Sequence, residues 1–462
     1  MRMLILLFSC LSLLAQGSPD WSTAEPEALR HYQALLRIDT ADPPGNEAPA
    51  VDYLRTVLQK DGIPTKTFAT DPKRPNLVAR LKGSGKKKPL LIMAHTDVVG
   101  VQPEKWIYPP FAATLTGGYI YGRGAVDDKD NLAAGLMTMI LLKRQKTALD
   151  RDVIFLAEAG EEGSVQYGIK YMVENHWPEI EAEYCIAEGG GVYRRGGALH
   201  RNLISTTEKN PNMVRLIARG PAGHGSRPLP NNAVVALANA VAKVAAWQTP
   251  MRLNDTTRAY FERLATISKP EEAGRYNGVV NPARSAEIQE HFRLQEPMHY
   301  SMLRTSISPT ILKGGFRRNV IPSEAEAALD VRVHPSDNLD DLLTQMRKII
   351  GDASVEVVKT PGYRPLAPPS SIDNEMFRIL SDASKRIYPG VTVLPVMSTG
   401  ATDKVFLQLR GVQSYGIGSA TDEEDGPKGF GAHSDQERLL ESEFHRFLRY
   451  NWEVVTAVAG AR

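Results

Sequence analysis

Three short apolar runs, each leading into acidic or imidazole residues, constrain this chain more than any other feature. Leu90–Ala94, Val153–Ala157 and Tyr184–Ala187 contain no charged side chain. A strand with one face in water alternates apolar and polar residues, whereas a continuous apolar run needs both faces covered, as in a parallel sheet between helices. Stretches of helical length and composition, 131–142 and 165–173, separate the runs. This βαβ rhythm predicts an α/β fold with a mostly parallel sheet. Polar residues follow each run: His95 and Asp97 the first, Glu161 and Glu162 the second, Glu188 the third. Ligands of open parallel sheets sit beyond the carboxyl ends of the strands, so the three runs aim these groups at one place. Asp127 and Asp128 precede the 131–142 helix, and His433 lies in Gly431-Ala432-His433-Ser434-Asp435, just before a final helix from about 436.

At 462 residues and 42% hydrophobic content the chain has room for two domains. A helical pattern over 25–60 is broken by Asp42-Pro43-Pro44-Gly45-Asn46. Near residue 211 the texture changes. Strands at 213–218, 305–311, 325–333 and 355–358, with helices at 232–247 and 339–350, suggest a small α+β sandwich inserted into the first domain. Within it, the stretch around Pro270, Gly274 and Pro282 reads as long and irregular. After Pro361 the α/β pattern resumes, with a helix near 373–387 and strands at 391–396 and 412–417. The division is therefore 18–211 and 361–462 for the α/β domain and 212–360 for the insert, behind a leader at 1–17.

That leader reads as a signal peptide. Arg2 precedes an apolar stretch from Met3 to Ala15, and Ala15-Gln16-Gly17 offers small residues for cleavage after Gly17. A secreted or periplasmic protein is expected, with no membrane attachment after cleavage. Cys10 then leaves with the leader, and Cys185 stands alone in an apolar strand, where packing is its expected role. Lys and Arg number 55 against 53 Asp and Glu, which argues against a nucleic-acid partner.

Two imidazoles with three carboxylates form a donor set suited to zinc or a similar divalent ion. A carboxylate between two ions can bridge them, and water on such ions is acidified towards a pKa of about 7. A Glu next to a ligating Glu can point inward and take the water's proton. Other catalytic signatures are missing: there is no His-Glu-x-x-His helix, phosphate-binding P-loop or nucleophile elbow.

His95-Thr96-Asp97, Gly122-Arg123-Gly124-Ala125-Val126-Asp127-Asp128-Lys129, Glu161-Glu162-Gly163-Ser164 and Gly431-Ala432-His433-Ser434 resemble, in order and spacing, the motifs of the aminoacylase/carboxypeptidase family of dinuclear zinc peptidases. That family includes glutamate carboxypeptidase, acetylornithine deacetylase, succinyl-diaminopimelate desuccinylase, aminoacylase and carboxypeptidase S. The resemblance implies two zinc ions per subunit, with cobalt or manganese as substitutes. His95, Asp127 and Glu188 would hold one, Asp127, Glu162 and His433 the other, with Asp127 bridging. It makes Glu161 the general base, and has Asp97 accept from the His95 ring N–H. Gly223-His224-Gly225-Ser226 resembles the segment whose His reaches a neighbouring subunit's site to steady the oxyanion, which implies a homodimer. Asn319 and Arg332 would contact substrate, the guanidinium fork being matched to a carboxylate. Gly400-Ala401-Thr402-Asp403 resembles a further pocket loop, and Asn254–Arg258 a lengthened lid. The implied reaction is hydrolysis of an amide bond next to a free carboxylate, in a small peptide or an N-acyl amino acid. An aminopeptidase with a related dinuclear site, and a non-catalytic binding protein on the same fold, are the alternatives.

Overall fold

Successive side chains of the apolar runs point to opposite faces of one sheet, and both faces are covered. Leu90, Ile92 and Ala94 join Val153, Phe155 and Ala157 in a core beneath helices Trp21–Leu36, Ala48–Lys60, Lys129–Arg144, Glu375–Ile387 and Glu441–Ala459. Leu91, Met93, Ile154, Leu156 and Cys185 face the other way, against Ile169–Asn175 and Lys404–Leu409. A computed structural model describes residues 18–360, 362 and 364–461; the leader at 1–17 lies outside them.

The centre of this ten-stranded sheet is parallel. Leu90–His95 lies between Val153–Glu158 and Tyr184–Ala187, and Gln413–Gly416 continues the parallel order beyond the latter. Antiparallel partners flank this centre: Asn76–Leu81 on one side and Ala198–Glu208 on the other. The helix Lys129–Arg144 lies close on the centre because residue 135 is glycine. A Cβ there would stand 2.8 Å from the Phe155 ring and 3.1 Å from Ile92.

The strand Ala198–Glu208 leads through Lys209 into Asn210–Arg219, a member of a second sheet. That sheet is antiparallel throughout, in the order Ser306–Gly314, Glu324–Val333, Asn210–Arg219, Val355–Lys359. Helices Ala233–Ala246 and Leu339–Ile350 cover one face, burying Leu216, Leu237, Leu329 and Met346. A separate two-stranded antiparallel pair, Gly223–His224 with Val320–Ile321, completes this part of the chain.

The expectation of an irregular stretch around Pro270–Pro282 is corrected by the structure. Residues 255–302 form four helices: Asp255–Ala265, Pro270–Gly278, Pro282–Gln295 and Pro297–Met302. Each proline sits in a helix's first turn, where the missing N–H has no intrahelical partner to lose, so these prolines start helices. The helices also do not lengthen the lid. Tyr260, Phe261, Leu264 and Phe292 pack with Leu203, Leu394 and Val396 of the first sheet, and Thr206 and Thr256 share a buried 2.7 Å hydrogen bond.

Candidate active site

The loop Gly122–Asp128 carries Asp127, and a buried carboxylate fixes its path. Glu437 accepts from Arg123 Nη1 (2.7 Å), Gly124 N (3.1 Å) and Val126 N (2.7 Å). Arg123 Nη2 in turn donates to the carbonyl of Ser434 at 2.9 Å. One ion pair therefore ties the Asp127 loop to the turn bearing His433. His433 adopts a left-handed backbone (φ 60°), a conformation that costs a non-glycine residue about 1–2 kcal/mol.

The five expected ligands converge in two groups that share Asp127. His95, Asp127 and Glu188 place one donor atom each within 4.8 Å of one another, and so do Asp127, Glu162 and His433. His95 Nε2 lies 3.1 Å from Asp127 Oδ1, and His433 Nε2 lies 3.1 Å from both Asp127 Oδ2 and Glu162 Oε1. Each group combines one imidazole with two carboxylates, a donor set that fits a divalent transition metal. Charge agrees with that fit. Burial, with Asp127 nearby, pushes the Glu188 carboxyl up to about 8, so the crevice holds more negative charge than it can stabilise without cations.

The His95 ring Nδ1 faces Asp97 as expected, 2.9 Å from its backbone carbonyl and 3.5 Å from its carboxylate. An N–H on Nδ1 donating there leaves Nε2 free to ligate. The fully buried carboxylate also accepts from the backbone N–H groups of Glu161 (3.2 Å) and Glu162 (3.0 Å), holding the turn that presents both. Asp128, left out of the ligand set, accepts from Asn131 Nδ2 at 2.6 Å.

Glu161 is buried beside these groups, and its carboxyl is pushed well up by burial and by Glu188. Arg364 holds it: the guanidinium donates to the Glu161 carboxylate, to the Glu161 carbonyl at 2.6 Å, and through Nε to Asp403 at 3.2 Å. A second buried pair lies nearby. Glu208 accepts from Lys404 Nζ and from Thr402 N (2.6 Å). Gly189, at φ 102°, follows Glu188, and Lys404 Nζ lies 3.1 Å from where its Cβ would stand. Arg364, Glu437 and the Glu208–Lys404 pair were not legible in sequence. They lie outside the motifs, and no spacing links them to the residues they hold.

The lid residues separate into two places. His224 is exposed on its short strand, with Nδ1 accepting from Ser226 N at 3.2 Å and lying 2.7 Å from Ser226 Oγ, so that Nε2 is free to donate. Asn319 lies beside it, its carbonyl accepting from Gly225 N at 2.8 Å. Arg332 sits on the Glu324–Val333 strand opposite Pro211, eight residues beyond Glu324, about 26 Å at strand rise. Its guanidinium pairs with Asp330 at 2.8 and 3.1 Å. The structure thus brings His224 and Asn319 together and leaves Arg332 apart from both. None of the three contacts a metal-ligand group of its own chain among the described hydrogen bonds and ion pairs.

Comparison with known proteins agrees with this site. The model of peptidase family M20/M25/M40 matches residues 91–455, well over half of the chain. The chain belongs to this peptidase family. This M20 chain is 29% identical over 335 residues to N-fatty-acyl-amino acid synthase/hydrolase PM20D1 of Homo sapiens, covering 69% of this chain and 64% of the human protein. It thus spans less than two thirds of that relative's length. A probable succinyl-diaminopimelate desuccinylase of Staphylococcus aureus is 25% identical, with 82% of this chain and 87% of that protein covered. The crystal structure of the M20 metallo-carboxypeptidase Sso-CP2 from Sulfolobus solfataricus shares the fold, with a TM-score of 0.73 at 20% identity over 93% of this chain and 98% of that one. This M20 chain has an α/β fold with a mostly parallel central sheet.

Proposed function

We propose that this chain is a two-zinc hydrolase of amide bonds adjacent to a free carboxylate, working as a secreted or periplasmic homodimer on small peptides or N-acyl amino acids. The observation that carries the reading is the pair of ligand groups sharing Asp127, with a buried Glu next to a ligating Glu. Two zinc ions, when bound by these residues, supply polarisation of the scissile carbonyl and acidification of a water. Glu161 takes the proton of that water and later delivers it to the leaving amine. Asp97 fixes where Glu161 stands by gripping its backbone N–H, and Arg364 fixes the carboxylate. His224, with Nε2 free, donates to the developing oxyanion of the partner subunit's site. Support for the dimer comes from the open edge strand Ser306–Gly314, whose Ile311 and Leu312 are exposed, as is Phe316 beyond it. Asn319 lies next to His224 and is placed to contact the same substrate.

The test combines metal analysis with turnover of acyl amino acids and C-blocked and N-blocked dipeptides. Two zinc ions per chain, hydrolysis that requires a free carboxylate, and a Glu161→Ala variant that keeps its metal but loses about 10²–10⁴ in kcat are expected. Full activity of Glu161→Ala overturns the mechanism, and a requirement for a free amine favours the aminopeptidase alternative.

A further inference from the structure

The pair Gly223–His224 with Val320–Ile321 and its adjoining turns carry charge that nothing in the chain matches. Residues 221–232 and 314–323 contain Arg227, Arg317 and Arg318 and no aspartate or glutamate. All three arginines are exposed. Among the described residues, none of their guanidinium groups has an ion pair, a hydrogen bond or a ring contact. The strands of the second sheet differ in this respect. There Arg215 is paired with Glu326, Arg219 with Glu324 and Glu356, and Arg332 with Asp330.

Backbone hydrogen bonds gather the three free arginines around His224. Arg227 N donates to the His224 carbonyl at 2.9 Å, closing the turn that follows it. Val320, the strand partner of His224, donates through N to the Arg317 carbonyl at 3.2 Å, closing the turn that bears Arg318. Gly225 N donates to the Asn319 carbonyl at 2.8 Å and ties the two turns together. They meet closely there, because a Cβ on Gly225 would stand 3.2 Å from Asn319 and 3.3 Å from the Arg318 carbonyl. Arg317 and Arg318, with Gly225 and Phe316, also wall an open cleft of about 630 Å³, so a ligand can reach them. Like charges on neighbouring side chains repel, and the pair's own folding gains nothing from three of them. Their complement is an anion from outside the chain.

We propose that Arg227, Arg317 and Arg318 grip the substrate's free carboxylate in the partner subunit's site, arriving there with His224. The proposal rests on the chain being a dimeric amide hydrolase with His224 acting across subunits, and names what recognises the carboxylate. In a substrate of that kind a single carbon separates the carboxylate from the amide nitrogen. A body that brings an oxyanion donor to the amide therefore brings its neighbouring side chains to the carboxylate. A guanidinium fork meets a carboxylate through two parallel N–H donors. Arg332 would have to leave Asp330 before it could do the same, whereas the three arginines beside His224 have no partner to leave.

The test takes the acyl amino acid or dipeptide that the zinc-loaded full-length protein hydrolyses fastest and sets it against its C-terminal amide. The wild type is expected to favour the free acid by about 10- to 100-fold in kcat/KM, as for hydrogen bonds to a charged group. Arg227→Ala, Arg317→Ala and Arg318→Ala combined are expected to bring that ratio close to one, by raising KM for the acid and sparing hydrolysis of the amide. A merely structural loss would fall on both substrates alike and overturn the proposal. Arg332→Ala is expected to leave the ratio as it is; a collapse of the ratio in that variant alone overturns the assignment. Mixing the triple variant with Glu161→Ala subunits is expected to restore the low KM, because the active site of the mixed dimer then receives intact arginines. A KM that stays raised in the mixture overturns the placement across subunits. An undiminished ratio in the triple variant overturns the proposal and leaves the hydrolase reading standing. A wild type that shows no preference for the free acid, or hydrolyses none of the substrates, overturns that reading and the proposal with it.

Discussion

The crevice at the end of the central sheet and the two-stranded pair Gly223–His224 with Val320–Ile321 both carry residues expected to act in the reaction, yet they are built differently. In the crevice, His95 is 1% exposed and each expected ligand lies within reach of its partners in a single chain. On the two-stranded pair, His224 is exposed and its ring is bonded, among the described residues, only to its neighbour Ser226. Strand ends can assemble a metal site within one chain, because the sheet fixes where each strand stops. A group that must approach from above the substrate needs a separate body to carry it. The crevice thus gathers its groups within one chain, whereas the His224 ring meets only Ser226 among the described residues.

The sharpest break of this comparison is at Asp127, the residue both ligand groups share. Asp127→Asn is expected to lower metal content in both groups and to abolish turnover, as read by metal analysis on the purified variant. Loss of one ion with the other retained would show that the groups are independent. Next in size is His224→Ala, expected to cost about 10²–10³ in kcat, the usual effect of removing an oxyanion donor. Mixing it with Glu161→Ala subunits should restore activity, because one site of the mixed dimer has both groups intact; failure to restore it would place His224 within its own subunit's site.

Arg364→Gln against Arg332→Ala separates the two regions by a smaller margin. Loss of the Arg364 contact to Glu161 should cost about 10–100-fold in kcat with little change in metal content, as for other residues that orient a site. Arg332, paired at the surface with Asp330, should cost no more than about 1 kcal/mol of stability. A larger effect of Arg332→Ala on KM would move carboxylate recognition to the second sheet. A test outside both regions lies in the helices at 255–302. Burial alone would raise the Glu296 carboxyl, but hydrogen bonds from His299, Tyr276 and Arg275 outweigh it and hold it at about 2, below its ordinary 4.5. A depressed carboxyl stabilises the fold above pH 4.5 and loses that contribution as the pH falls towards 2. Glu296→Gln should therefore cost roughly 1–2 kcal/mol at pH 7 in urea unfolding, and the difference should close towards pH 2.

Much of the site could be read from the chain because its ligands sit at the ends of elements with clear periodicity. His95 closes an apolar strand, Glu188 directly follows another, and Asp127 lies just ahead of a helix. The helices at 255–302 were obscured because their prolines act as starts, and a first-turn proline looks the same in sequence as a break. Arg364 lies in the return connection between the sheets, where no periodic pattern sets its side chain's direction.

By itself the sequence determined the parallel sheet and that His95, Glu161, Glu162 and Glu188 would come together, because apolar runs buried on both faces must end at one edge and the polar residues that follow them must meet there. Only the tertiary structure decided what holds those groups and what surrounds them. Asp97 grips the turn of Glu161 and Glu162, Glu437 joins the Asp127 loop to the His433 turn, and Arg364 reaches Glu161 from the other end of the chain. These contacts span up to 314 positions, a separation over which no local pattern carries information, so they exist only once the sheet has closed.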